Sequence, residues 1–125
     1  TVECVHTPGH SPGVMSFFFQ AQDGDKRWNV GYFGGAGFNT LYKEALKADG
    51  RPLEAREQFL QSLAKVRDRQ VDIVLGNHPR QNETLDKRRR MLEDPSVNPF
   101  IDPQEWQRFC DTMSEQFRQF MENGN

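Results

Sequence analysis

Cysteine, histidine and unbroken apolar sequence are all scarce in this chain, and each scarcity removes a class of protein. The two cysteines, Cys4 and Cys110, form no Cys-x-x-Cys pair, so neither a zinc knuckle nor a disulfide framework is indicated. Both are expected to be free thiols, with a single bridge between them left open. No apolar run approaches the roughly 18 residues that a membrane-spanning helix needs, and no charged-then-apolar leader opens the sequence. A membrane role therefore has no support. The longest basic run, Lys87 to Arg90, has no aromatics interleaved with it and sits within a net charge of −2. It reads as a solvated helix face rather than a nucleic-acid surface. The Gly-x-x-x-x-Gly-Lys-Ser/Thr pattern of a phosphate-cradling loop is missing as well.

What the chain does have is aromatic weight. Ten phenylalanines and two tryptophans concentrate a modest apolar supply, 35% hydrophobic against 27% charged residues, in a few large side chains. That balance is globular, and 125 residues amount to one domain or to half of a larger one. The sequence begins without Met, inside the strand-like alternation Val2-Glu3-Cys4-Val5, and a further N-terminal portion is expected ahead of it.

Hydrophobic periodicity divides the rest into strands and helices. Val14 to Phe19 reads as a heavily buried strand, Asp23-Gly24 as a hairpin signal and Trp28 to Phe33 as the return strand. Because Phe17, Phe18 and Phe19 are consecutive, both faces of the first strand carry phenylalanine and both need cover. Pro52 is placed at position N1 of a helix with the stripe Leu53, Phe59, Leu60, Leu63 and Val66. Val71 to Leu75 follows as a short buried strand, and Thr84 to Leu92 as a short basic helix. Asp102-Pro103-Gln104-Glu105 spells a capping box. The helix it opens carries Trp106, Phe109, Cys110, Met113, Phe117, Phe120 and Met121 on one face. Helix followed by strand predicts an α/β fold, a sheet with packed helices.

Three loops carry the candidate chemistry. In Thr7-Pro8-Gly9-His10-Ser11-Pro12-Gly13, two Pro-Gly pairs bracket one histidine at a strand-to-strand turn, which fixes the direction of a single imidazole. The return strand ends in Gly34-Gly35-Ala36-Gly37-Phe38-Asn39, where glycines let backbone lie close to a neighbour. The later strand delivers Gly76-Asn77-His78-Pro79, and Pro79 holds the His78 backbone out of the helical region.

Taken together, His6-Thr7-Pro8-Gly9-His10-Ser11-Pro12-Gly13, the Phe-rich strand, the Asp-Gly hairpin, the Gly-rich loop and the strand ending in His78-Pro79 resemble the C-terminal half of metallo-β-lactamase fold hydrolases. The run from Leu63-Ala64-Lys65-Val66-Arg67 to Val74-Leu75-Gly76-Asn77-His78-Pro79 looks most like the subclass whose zinc ligands are histidines and an aspartate, without a cysteine. The resemblance covers nearly the whole chain. It implies half of an αββα sandwich, residues 1–125 forming the C-terminal half of a domain built from two αβ halves.

By the same resemblance, His10 matches the histidine that completes a three-histidine zinc site, and His78 the last histidine of the neighbouring zinc. The remaining ligands of that family come from a His-x-His-x-Asp-His motif in the N-terminal half, which this chain lacks. The implied chemistry is hydrolysis by a metal-activated hydroxide, with two zinc ions as cofactors in the intact family. Because one histidine per metal cannot hold a catalytic zinc, the chain alone is expected to be inactive. Serines of the resembled subclass that contact a substrate carboxylate fall where this chain has Gly34-Gly35, so β-lactam, thioester, lactone and other ester substrates all stay open. Gly35, Phe38 and Asn39 are the candidate substrate contacts. The expected partner is an N-terminal half or a second copy of the chain. The alternative function is a non-catalytic half-fold used for assembly.

Overall fold

A computed structural model describes every residue from Thr1 to Asn125. Four strands, β1 (Val2–His6), β2 (Met15–Asp23), β3 (Lys26–Tyr32) and β4 (Ile73–Leu75), form one sheet in the order β1-β2-β3-β4. The first three make an antiparallel meander, and β4 joins β3 in parallel after a helical crossover. The hairpin turns on Gly24-Asp25, since Asp23 pairs directly with Lys26. Four helices complete the chain: α1 (Lys43–Ala48), α2 (Glu54–Val66), α3 (Thr84–Glu93) and α4 (Glu105–Glu122).

The alternation along β2 splits its phenylalanines between two faces. Phe18 turns to the helical side, where its ring meets Trp106 of α4 edge-on at 5.3 Å. Phe59 and Leu63 of α2 and Trp106, Cys110 and Phe117 of α4 complete that core with Val74 of β4. The indole of Trp106 also donates to the Val66 carbonyl at 2.8 Å, which ties α4 to the end of α2. Phe17 and Phe19 point the other way. They and Tyr32, whose ring stands 6.0 Å from that of Phe17, stay half-buried and outside the core cluster. The helices of this chain cover one face only.

Several local expectations are corrected. Helix α2 begins at Glu54 with Leu53 as its N-cap, because Pro52 and Leu53 form a tighter turn through Ala55 N–H to Pro52 O and Arg56 N–H to Leu53 O. Leu53 is consequently exposed rather than part of the stripe. The capping box does not form. Asp102 accepts from the Gln104 N–H, its own N–H is taken by Asp72 O, and Glu105 reaches Lys87 instead of turning back. Lys87 in turn departs from the expected solvated row: it is buried against Glu105 and over the Phe100 ring, while Arg88, Arg89 and Arg90 are exposed. Val71 is buried but precedes β4, and α1 has no counterpart in the sequence reading. Cys4 and Cys110 are both free, and burial pushes the Cys110 thiol up to about 12. No helix is long and apolar enough to cross a membrane.

Candidate metal centre

The turn that carries His10 is held mostly by side chains, because the chain between β1 and β2 has few ladder partners. Thr7 N–H bonds Val14 O at 2.9 Å and the Thr7 and Ser16 hydroxyls meet at 2.7 Å, closing the base of the loop. The ring of His6 donates Nε2–H to Pro12 O at 2.7 Å, so this histidine is spent on the turn itself. From α2, Ser62 donates to Pro8 O and Lys65 to His6 O. The loop is thereby seated on a helix whose own apolar face is buried in the core.

His10 is half-buried and its Nδ1 lies 2.8 Å from Gly37 O. A carbonyl can only accept, so Nδ1 carries the proton and Nε2 is left with a bare lone pair, the form in which a histidine binds a metal. Gly35 makes this placement possible. A Cβ at that position would stand 2.4 Å from His10 Cδ2, so the ring occupies the space of the missing side chain. The Gly-rich loop thus serves as the wall against which the imidazole is set.

His78 follows β4 at an exposed turn, and its carbonyl accepts from Gln81 N–H. Gln81 also accepts from Asn77 N–H and reaches toward Phe33 O, while buried Asn82 donates to Val74 O at 2.9 Å. These bonds fasten the His78 turn to the ends of β3 and β4.

His10 and His78, distant in sequence, both line one cavity of about 930 Å³. Gly35 and Asn39 line it too, together with Arg80 beside His78 and with Arg108, Thr112 and Gln116 on α4. Phe38 does not. Its ring packs among Phe59, Phe117 and Phe120 at centroid distances of 5.9, 5.1 and 5.4 Å, as an anchor of the loop in the core. The contribution of α4 to the cavity was missed from the sequence, where its apolar stripe drew the attention and its polar positions looked like plain surface. At the cavity rim Arg108 holds the Asp102 carboxyl below the usual carboxylate range through a 2.6 Å bond. Burial pushes the Glu105 carboxyl up, against the opposing bonds from Lys87.

No three histidine, cysteine or carboxylate side chains gather anywhere in the chain as a metal site. The fit to zinc is that of a partial donor set: one imidazole with Nε2 free and another, exposed, lining the same cavity.

No protein-family model matches the sequence, and no curated protein matches it. Solved structures do. BJP-1, a subclass B3 metallo-β-lactamase of Bradyrhizobium japonicum, is 26% identical with a TM-score of 0.77, over 98% of this chain and 45% of that one. FEZ-1, a metallo-β-lactamase from Legionella gormanii, is 22% identical with a TM-score of 0.80, over 98% and 45%. A metallo-β-lactamase from Cronobacter sakazakii with a HARLDQ motif is 24% identical with a TM-score of 0.81, over 98% and 42%. The chain spans less than half the length of these structures. Its meander, crossover and α4 together are the metallo-β-lactamase fold, present as the C-terminal half of the αββα sandwich.

Proposed function

We propose that this chain is the C-terminal portion of a zinc-dependent hydrolase of the metallo-β-lactamase superfamily, acting on a β-lactam, thioester, lactone or other ester. The observation that carries the reading is the convergence of His10 and His78 on one cavity, with the His10 Nδ1–H tied to Gly37 O and Nε2 free. His10 and His78 would each hold one ion of a zinc pair whose other ligands come from an N-terminal half. Zinc, when bound, supplies Lewis acidity and a water acidified toward neutral pH. This chain's residues supply the rest: His10 is oriented by Gly37, the bare backbone at Gly35 gives the imidazole its seat, and the exposed Asn39 offers an amide to the polar groups of a substrate.

A second reading, a non-catalytic half-fold that assembles with itself or with an N-terminal half, draws on the half-buried Phe17, Phe19 and Tyr32. It gives no role to His10 or His78, which is why the hydrolase is preferred. The test is to assay the chain alone, and then with an N-terminal half carrying His-x-His-x-Asp-His, against a chromogenic cephalosporin, a thioester and a lactone. Chelator-sensitive turnover is expected only in the combination, and should be abolished by His10→Ala or His78→Ala. Turnover by the combination that survives both substitutions would remove the proposal.

A further inference from the structure

We infer that Arg51 is a positioning residue for the His10 imidazole, acting through the backbone of the loop that carries it. The inference rests on the reading of His10 as a metal ligand, and its geometry begins in the sequence around Arg51 itself. Gly50 follows α1 with φ of +65°, a left-handed conformation open to glycine. Gly50 N–H bonds Lys47 O and Arg51 N–H bonds Leu46 O at 2.8 Å, the paired closure that ends a helix on a left-handed glycine. Pro52 then fixes the backbone on the other side. The start of the Arg51 side chain is therefore set from both directions, and the residue is half-buried.

From this elbow the guanidinium forks onto two successive carbonyls of the His10 loop. Nη1 donates to His10 O at 3.0 Å and Nη2 to Gly9 O at 2.5 Å. Thr40 Oγ1 donates to His10 O as well, at 2.6 Å, so that carbonyl has both lone pairs occupied. Two adjacent carbonyls held by one rigid planar group fix the peptide plane at His10, which a single flexible donor does not. Once that plane is set and the ring lies against Gly35, Nδ1 has Gly37 O in reach and Nε2 is left without a protein partner on a residue that lines the cavity. Arg51 does not itself line the cavity, and its bond to His10 is to the backbone carbonyl. Its effect on the imidazole passes through the backbone alone.

The experiment uses the 125-residue chain, labelled with ¹⁵N, and reads the ring nitrogens of His10 by long-range proton–nitrogen correlation, with zinc alone as titrant. In the wild type, His10 is expected as the single Nδ1–H tautomer, with Nε2 shifting as zinc is added. In Arg51→Ala the tautomers should mix, and the zinc concentration giving half of the Nε2 shift should rise on the order of tenfold, as for loss of an outer-shell partner. Arg51→Lys keeps the charge and the fold but not the fork, and should fall between. Ser62→Ala, which frees only Pro8 O, should leave the tautomer unchanged. If both Arg51 variants keep the wild-type tautomer and half-saturation, the positioning role is overturned. A wild-type His10 that carries its proton on Nε2 would instead sink the metal reading; if the chain alone does not respond to zinc, where one histidine cannot hold the ion, the tautomer comparison decides the role of Arg51.

Discussion

Gly35→Ala is a substitution whose consequence can be worked through from distances. The backbone at Gly35 is not in the left-handed region, so an added methyl meets no conformational penalty and the effect is purely steric. That methyl would stand 2.4 Å from His10 Cδ2 and 2.9 Å from Cγ, where carbon atoms rest at about 3.5–4.0 Å. The imidazole has to retreat by about 1 Å. The Nδ1 bond to Gly37 O, now 2.8 Å, then passes out of hydrogen-bond range. Overpacking of this kind costs about 1–3 kcal/mol and the lost bond about 1 kcal/mol more. A total of about 2–4 kcal/mol corresponds to a fall in Tm of roughly 10 °C. The comparison is Gly13→Ala on the same histidine loop, where an added methyl meets nothing within 4 Å and stability should not move. Thermal unfolding of both variants, with the His10 ring nitrogens read by NMR, is the assay. Equal melting temperatures with the His10 Nδ1 proton retained in Gly35→Ala would refute the idea that the loop is shaped around the ring.

Isothermal titration of zinc into the isolated chain should show no stoichiometric tight binding; a 1:1 complex of nanomolar affinity would contradict the half-site reading. Sedimentation at micromolar concentration should show association through the face of Phe17, Phe19 and Tyr32, because a self-complementary apolar patch favours a two-fold dimer when an N-terminal half is not supplied. A monomer that unfolds cooperatively would show instead that this half buries its own core. Lys87→Met should destabilise the chain by about 3 kcal/mol, since it strands a carboxylate that is only 15% exposed, whereas the double change with Glu105→Leu should return to within about 1 kcal/mol of wild type. Urea unfolding of Lys87→Met, Glu105→Leu and the double variant measures this, and an additive double mutant would count against a coupled pair.

The legible part of the fold is the part governed by short-range pattern. Strand alternation and the glycine between the two strands specify the β2–β3 hairpin, although the turn falls on Gly24-Asp25, one residue beyond the expected Asp23-Gly24 pair, and the α4 stripe specifies the helix that buries Trp106 and Phe117. The His10 and His78 loops stood out because proline and glycine leave visible marks where backbone geometry is unusual. What escaped is what depends on distant partners. Phe38 occupies a glycine-rich loop, a setting that suggests exposure, yet it is drawn into the core by three rings from two different helices. Lys87 lies in a row of four cations, and only the approach of Glu105 distinguishes it. The six-residue α1 has no side-chain cap and one buried residue, Leu46, so little in its own sequence announces it.

The parallel strand β4 has one more consequence. It is three residues long and reaches the sheet only after the crossover, whereas the β1–β2–β3 meander pairs neighbouring segments over much longer runs. Strands held by few bonds open at lower free energy than the sheet they join. His10 is therefore attached to the longer-paired part of the sheet, and His78 to a three-residue strand expected to open at lower free energy than the meander. Amide exchange should be fast from Gly76 to Gln81 and slow through β2. This asymmetry makes the His10 imidazole the fixed reference of the cavity and the His78 imidazole its adjustable arm.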